Sequence, residues 1–159
     1  MLNASEEVLF LLDGNLHLLY QEQTEGMLFF IVERRSSSAV CPSCHRVSHR
    51  THSRYTRKVN DLPVADRQVN FQVLLHKWFC DHSDCPTKIF TERLPWLQTY
   101  KRKTERLEDM IEKIAFSTNC LTAEKVCRIL HVSVSHDTLL RRVRAADFDL
   151  PPSPFRRNR

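Results

Sequence analysis

The spacing of apolar residues changes near residue 95, from the alternation typical of β-strands to the three- and four-residue spacing of helices. Between residues 67 and 79 a run of apolar side chains alternates strictly with other residues, which predicts a strand with one buried face. The alternating residues are Val69, Phe71, Val73 and Leu75. Upstream, "LHLLYQEQ" and "MLFFIVERR" flank "TEG", which predicts a β-hairpin with Gly26 at its turn.

Shorter patterns predict further elements in the first half of the chain. Residues 53–60 and 88–94 have the composition of strands, and "DLP" is expected to stop the first of them. Residues 4–12 predict a short helix with acidic residues in its first turn and Gly14 after its end. The first half is therefore expected to be rich in β-structure.

The second half has helical periodicity. Apolar residues at offsets of three and four follow residue 103, and two shorter helical segments cover 122–130 and 135–146. The apolar residues of the first segment are Leu107, Met110, Ile111 and Ile114. We therefore predict an α+β chain with a β-rich domain over residues 1–95 and an all-helical domain over 101–146. Residues 147–159 are proline-rich and basic, which is typical of a linker.

The last two helical segments resemble a helix–turn–helix, although the turn lacks the usual glycine. Thr122 and Ser135 are predicted to cap the two helices. Ala123, Val126, Cys127 and Leu130 are predicted to face inward from the first helix, and Leu139, Leu140 and Val143 from the second. The residues predicted to face outward and contact DNA are His136, Arg141, Arg142 and Arg144. The alternative is an ordinary α-hairpin with a solvated basic face.

Charge is distributed unevenly along the chain. Residues 1–33 carry a formal charge of −6, whereas the remainder carries +11. Residues 34–60 contain no acidic residue, and this asymmetry in a chain with a pI near 9.0 favours a polyanionic partner such as nucleic acid. The basic residues expected to contact phosphates are Arg46, Arg50, Arg54, Arg57 and Lys58. The alternative is again a solvated basic face.

Two pairs of cysteines surround the central strands. Cys41 and Cys44 form a C-x2-C pair and Cys80 and Cys85 form a C-x4-C pair. Four thiolates suit a tetrahedral, structural Zn²⁺, and a metal that ties the base of each loop explains why the loops contain no glycine. Two alternatives remain open, namely four ordinary buried cysteines, or a site in which an imidazole replaces one sulfur. The candidate imidazoles are those of His45 and His82.

The absence of a basic N-terminal segment and of a long apolar run favours a cytosolic protein with reduced cysteines. Cys120 and Cys127, which lie in the helical half, are expected to pack in its core. A nucleophile–base arrangement, a phosphate-binding glycine loop and a paired carboxylate motif are all missing, so we assign no catalytic residue. We expect neither a membrane nor a small molecule as partner.

Four segments together resemble one family, namely "CPSC", "SRYTRKVNDLP", "WFCDHSDCPTKIFTERLP" and "SHDTLLRRV". They look like the N-terminal region of ISL-three family insertion-sequence transposases, in which a cysteine zinc-binding domain precedes a helix–turn–helix and a DDE-type catalytic core. The resemblance implies that the four paired cysteines hold the metal and that Ser135–Arg144 is a recognition helix. One departure is "VADRQ", which replaces a glycine-containing turn after "DLP".

The resemblance also implies a function. The chain is expected to bind double-stranded DNA at the transposon ends, near the bacterial nucleoid, and to be non-catalytic because the DDE core is absent from it. The alternative is an interaction module or truncated regulator that pairs with itself or with full-length transposase.

Overall fold

The computed structural model describes Leu9 and residues 12–146, and it divides the chain into two compact units, Met1–Met110 and Ile111–Arg159. The predicted tail over 147–159 lies outside the described residues, as does most of the predicted helix over 4–12. Strands occupy the first unit and helices continue through the second, so the predicted α+β class is confirmed. The domain limits 1–95 and 101–146 stay predictions.

The first unit is built around a mixed β-sheet. Its strands, in chain order, are β1 (Leu16–Gln23), β2 (Met27–Arg34), β3 (Ala39–Val40), β4 (Val47–Ser48), β5 (Thr51–Val64), β6 (Arg67–Phe79) and β7 (Ile89–Thr91). β1 and β2 form the predicted antiparallel hairpin, β2 runs parallel to β6, and β6 pairs antiparallel with β5 and β7. β3 and β4 form a separate two-stranded sheet.

The core of the first unit confirms the predicted alternation of β6. Val69, Phe71, Val73 and Leu75 are all buried, and Phe71 stacks at a tilt on Phe30 of β2 with ring centroids 5.5 Å apart. Other apolar side chains complete this cluster, namely Leu9, Leu16, Val32, Val59, Leu94, Trp96 and Leu97. Burial of these side chains is the main term that stabilises the sheet.

Two carboxylates, the buried one of Glu92 and the partly buried one of Asp13, tie neighbouring segments to the sheet. Glu92 accepts hydrogen bonds from Arg34 at 2.9 Å and from the backbone of His76 at 2.7 Å. Burial raises the pKa of Asp13, but hydrogen bonds from Asn15, Trp96 and Arg34 outweigh it, and the net result is a lowered pKa.

The strand predicted over 53–60 is longer than expected. β5 continues through "DLP" to Val64, because the pairing shifts register between Asp61 and Val64 and Pro63 falls inside that irregularity. A proline is tolerated where the ladder is already interrupted. Ala65 and Asp66 then close the β5–β6 hairpin with φ of 48° and 61°, the two left-handed positions that a type I′ turn requires.

The helices are α1 (Glu105–Ser117), α2 (Cys120–Ile129) and α3 (His136–Ala145). Ser135 caps α3 as predicted, but the cap of α2 is Asn119, whose side chain accepts a hydrogen bond from the backbone N–H of Thr122. The prediction of Thr122 as the cap was therefore wrong by three residues. None of these described helices has the length and apolar composition needed to cross a bilayer.

The helical unit buries part of the predicted inner faces. Ala123 and Cys127 of α2 and Leu139 of α3 are fully buried, and burial raises the pKa of the Cys127 thiol. Leu130, predicted to face inward, is 37% exposed because the helix ends there and His131 turns the chain with φ of 57°. The backbone N–H groups of residues 131 and 132 then bond back to Arg128 and Cys127, which is a Schellman motif.

Candidate metal centre and basic surfaces

Short strands bring the two cysteine pairs together. Cys41 follows β3 and Cys44 precedes β4, whereas Cys80 follows β6 and Cys85 precedes β7. Backbone bonds close each loop, from Cys41 N–H to the Arg46 carbonyl at 2.9 Å and from Cys80 N–H to the Lys88 carbonyl at 2.8 Å.

The sulfur atoms form one compact cluster. All four lie within 4.8 Å of one another; Cys41 Sγ and Cys85 Sγ are 3.9 Å apart, and Cys44 Sγ and Cys80 Sγ are 3.5 Å apart. A disulfide requires about 2.05 Å, so these are separate thiols. Four sulfurs at about 2.3 Å from a tetrahedral Zn²⁺ lie about 3.8 Å from each other, so the spacing fits that ion.

The surroundings of the sulfurs favour thiolates held by a cation. Burial raises the pKa of Cys41, but backbone N–H groups of Cys44 and Ser43 lower it to about 7. The backbone N–H of His82 acts in the same direction on Cys80, yet burial and the neighbouring thiols raise the pKa of Cys80 to about 12. One thiol ionises readily and its negative charge opposes ionisation of the others, so a divalent cation is needed to hold all four as thiolates.

Neither candidate imidazole belongs to the sulfur cluster. His45 is exposed in the loop with φ of 58°. His82 directs Nε2 towards Asp84, 3.9 Å from its carboxylate. A small apolar core, formed by Trp78 and Phe90 with the cysteines, covers the cluster. The geometry therefore favours the four-sulfur site over its histidine variant.

Three of the five basic residues predicted to contact phosphates have partners within the protein. Arg50 pairs with Asp81 and lies 4.1 Å over the ring of Phe79, and Arg54 lies 3.8 Å from Glu33. Arg57 donates to the backbone carbonyls of residues 98 and 101. Arg46 and Lys58 are exposed, and neither is in an ion pair among the described residues.

The candidate recognition helix presents a mixed set of side chains. Arg141 and Arg144 are exposed on α3, whereas Arg142 is partly buried and its charge acts on Cys127. His136 lies 3.5 Å from Glu124 and is therefore less available for DNA than the sequence suggests.

A further basic surface was missed by the sequence analysis. Residues 98–103, hereafter the Tyr100 loop, lie beside β5, and together they line a pocket of about 330 Å³. The lining residues are Thr56, Arg57, Lys58, Tyr100, Lys101 and Arg102. The run "YKRK" over residues 100–103 was the available signal in the sequence.

Comparison with known proteins agrees with the cysteine geometry. Residues 37–85 match the family described as the zinc-finger of transposase IS204/IS1001/IS1096/IS1165. A relative, the transposase for insertion sequence element IS1001 from Bordetella parapertussis, is 30% identical over 80 residues, which is 50% of this chain and 19% of that protein. The chain thus spans about a fifth of that relative's length. No solved structure is significantly similar to this chain. The matched residues span both cysteine pairs, so this part of the chain is similar to the zinc-finger segment of that transposase group, which confirms the resemblance.

Proposed function

We propose that this chain, which carries the zinc ribbon of insertion-sequence transposases, is a sequence-specific DNA-binding part of such a transposase. The observation that carries the proposal is the compact four-sulfur cluster, because its four cysteines lie within residues 37–85, which match the family, and their spacing suits a metal ion. The DNA bound is the transposon end with its terminal inverted repeat. This role is fulfilled where the chromosome lies, in the cytoplasm and at the nucleoid.

The metal centre holds one Zn²⁺ through Cys41, Cys44, Cys80 and Cys85. Four sulfurs fill a tetrahedral shell and leave no position for water, so the ion is structural. The zinc fixes the ends of β6 and β7 against the β3–β4 loop and so orders the surface from which Arg46 projects. We assign no catalytic residue to this chain.

DNA contacts are divided between the two units. Arg46 and Lys58 pair with phosphates and contribute affinity without sequence preference. Arg50, Arg54 and Arg57 contribute less, because each already has a protein partner.

In the helical unit, α3 enters the major groove. Arg141 and Arg144 contact bases there, while Arg142 and His136 support them from the sides of the helix. These base contacts supply the sequence preference for the transposon end.

Zinc stoichiometry and DNA affinity test the proposal together. We expect one zinc per chain by native mass spectrometry. We also expect a DNA affinity that falls steeply between about 50 and 200 mM salt, as is usual for binding through phosphate contacts. K58A should weaken binding to all duplexes about equally, whereas R141A or R144A should cost about 1–3 kcal/mol of discrimination against a wrong base. K125A, which changes an exposed lysine on α2, is the matched control.

Two results contradict parts of the proposal. If the purified chain contains no zinc, the proposed metal centre is wrong. If R141A and R144A lose affinity with unchanged sequence preference, the assignment of α3 as the recognition helix is wrong.

A second candidate is a protein-interaction role, in which the chain pairs with itself or with full-length transposase. The apolar run in β2 does not serve this role, because Phe30 and Val32 are buried in the sheet. β1 favours it instead, since Leu19 and Tyr20 are about half exposed on an edge strand. Co-purification with full-length transposase in the absence of DNA supports this role, and L19E should then abolish it.

A further inference from the structure

Tyr100 is almost completely exposed, although tyrosine is a large and mainly apolar residue. Its exposed fraction is 96%, the highest of the exposed large apolar side chains, and its backbone φ is 63°. A left-handed conformation costs a residue with a Cβ about 1 kcal/mol or more, and the exposed ring recovers none of that energy by burial. Backbone strain of this kind is characteristic of functional sites.

The Tyr100 loop is held firmly on β5. Asn60 N–H donates to the Arg102 carbonyl at 2.8 Å, and Lys101 N–H donates to the Gln98 carbonyl at 3.2 Å. The guanidinium of Arg57 bonds the carbonyls of both Gln98 and Lys101. The ring is therefore displayed from a fixed backbone.

The ring stands among positive charges. Lys58, Lys101 and Arg102 line the same pocket as Tyr100, and none of the three is in an ion pair within the described part of the chain. An aromatic ring among unpaired cations is the arrangement with which proteins bind single-stranded nucleic acid, because bases stack on the ring while cations contact the backbone.

We propose that the Tyr100 loop binds DNA whose bases are unpaired, with Tyr100 stacked on one base and Lys58, Lys101 and Arg102 on the flanking phosphates. This inference rests on the proposed DNA-binding function and adds a structural preference to it. A fully paired duplex keeps its bases stacked on each other, so only its phosphates contact this surface. The loop thus favours frayed, mismatched or single-stranded segments.

Fluorescence anisotropy with the zinc-loaded chain tests the preference on three DNAs of the same sequence: a fully paired duplex, a duplex with an internal mismatch bubble and a single strand. Y100A keeps the Cβ and hence the turn, so it removes the ring alone. We expect Y100A to weaken binding to the bubble and the single strand by about 5- to 150-fold, the range of one stacked base, with little change on the paired duplex. Y100F should retain most of the affinity, and F116A, which removes a partly exposed aromatic ring on α1, should retain all of it.

A 2-aminopurine base in the bubble gives a direct readout, because stacking on the ring quenches its fluorescence. We expect quenching with the unmodified chain and with Y100F but not with Y100A. Equal losses on all three DNAs, or no loss with Y100A on any of them, overturn the inference while the DNA-binding function stands. A chain that binds none of the three DNAs overturns both. Loss of transposase co-purification in Y100A, with unchanged DNA binding, also overturns the inference and makes the ring a protein contact.

Discussion

Removal of the metal should unfold the zinc ribbon and leave the main sheet folded. Among the described residues of the first unit, the two tryptophans lie in two separate apolar clusters. Trp78 packs with the cysteines and Phe90, whereas Trp96 packs in the cluster of the main sheet. Trp78 lies at the cysteine end of β6 and Trp96 in the cluster of the main sheet, so the two indole rings report on different ends of the first unit.

The contribution of the metal to the folding free energy of the ribbon follows from the small size of the ribbon core. Burial of Trp78 and Phe90 contributes about 3 kcal/mol each. Ordering the loop residues between the paired cysteines, two in the first loop and four in the second, costs about 1–2 kcal/mol per residue, or about 6–12 kcal/mol in total. Apolar burial alone therefore leaves no surplus for the ribbon. A structural zinc contributes about 10–16 kcal/mol, which decides the balance.

Two single-tryptophan variants make the unfolding of the ribbon measurable by fluorescence. W96F leaves Trp78 as the reporter, and W78F leaves Trp96. Trp78 Nε1 has no hydrogen-bond partner in the described structure, so W78F removes no bond, whereas Trp96 Nε1 donates to Asp13 at 3.3 Å. Addition of a strong chelator should shift the emission of Trp78 to the red, because a ring that is 1% exposed enters water. The emission of Trp96 should remain unchanged, and C85S should reproduce the effect without chelator.

Two outcomes refute this reasoning. If both tryptophans respond together, the ribbon and the sheet form one cooperative unit. If neither responds, the apolar core holds the ribbon without metal, and the metal is not needed to offset the entropy cost of ordering the loops. Hydrogen exchange at residues 69–75 against residues 80–88 provides an independent check, since only the second segment should lose protection.

Three further predictions concern stability. Replacing Ala65 by Asn and Asp66 by Gly should raise the unfolding free energy by about 1–2 kcal/mol, because both positions have positive φ; an unchanged or lower urea midpoint argues against a type I′ turn. D61N should lower the unfolding free energy measured in urea by about 3 kcal/mol, because the buried carboxylate of Asp61 forms an ion pair with the guanidinium of Arg106. A loss below about 1 kcal/mol means that the pair contributes little to stability. Burial raises the pKa of Asp13 but its hydrogen bonds lower it overall, so its contribution is complete above about pH 4, near the unfolded value, and declines as pH falls through the folded value. The stability difference between wild type and D13N should shrink on acidification, and a difference that grows instead contradicts this sign.

The elements that the sequence predicted correctly are those with a local, repeated signal. The alternation around Phe71 marks β6, and the flanking segments around Gly26 mark the first hairpin. The cysteine pairs predicted a common site because thiols at such spacing on neighbouring strand ends converge. The boundaries were less predictable, since Asn119 rather than Thr122 caps α2 and Leu130 falls beyond its end.

Long-range partners explain most of what was missed. Arg57 was interpreted as a phosphate contact, but its guanidinium holds the backbone of the Tyr100 loop, 41 residues away at Gln98. Arg54 likewise lies near Glu33 of another strand. A charge pattern identifies side chains that favour water or a polyanion, whereas their partners depend on which strands become neighbours.

The scarcity of glycine explains why several turns could not be predicted from the sequence. Both glycines of the chain have negative φ. Within residues 12–146, in contrast, five other residues adopt positive φ at sharp connections, namely His45, Ala65, Asp66, Tyr100 and His131. Because glycine is the usual signal for such turns, their positions could not be read from the sequence. Each strained residue also requires a local constraint to hold it. The cysteine loop holds His45, strand pairing holds the hairpin, a Schellman motif holds His131 and Arg57 holds the Tyr100 loop. Among these residues Tyr100 alone has a large apolar side chain, and that side chain lies fully in solvent. Its strain therefore serves to display the ring, which is the property that the DNA-stacking experiment tests.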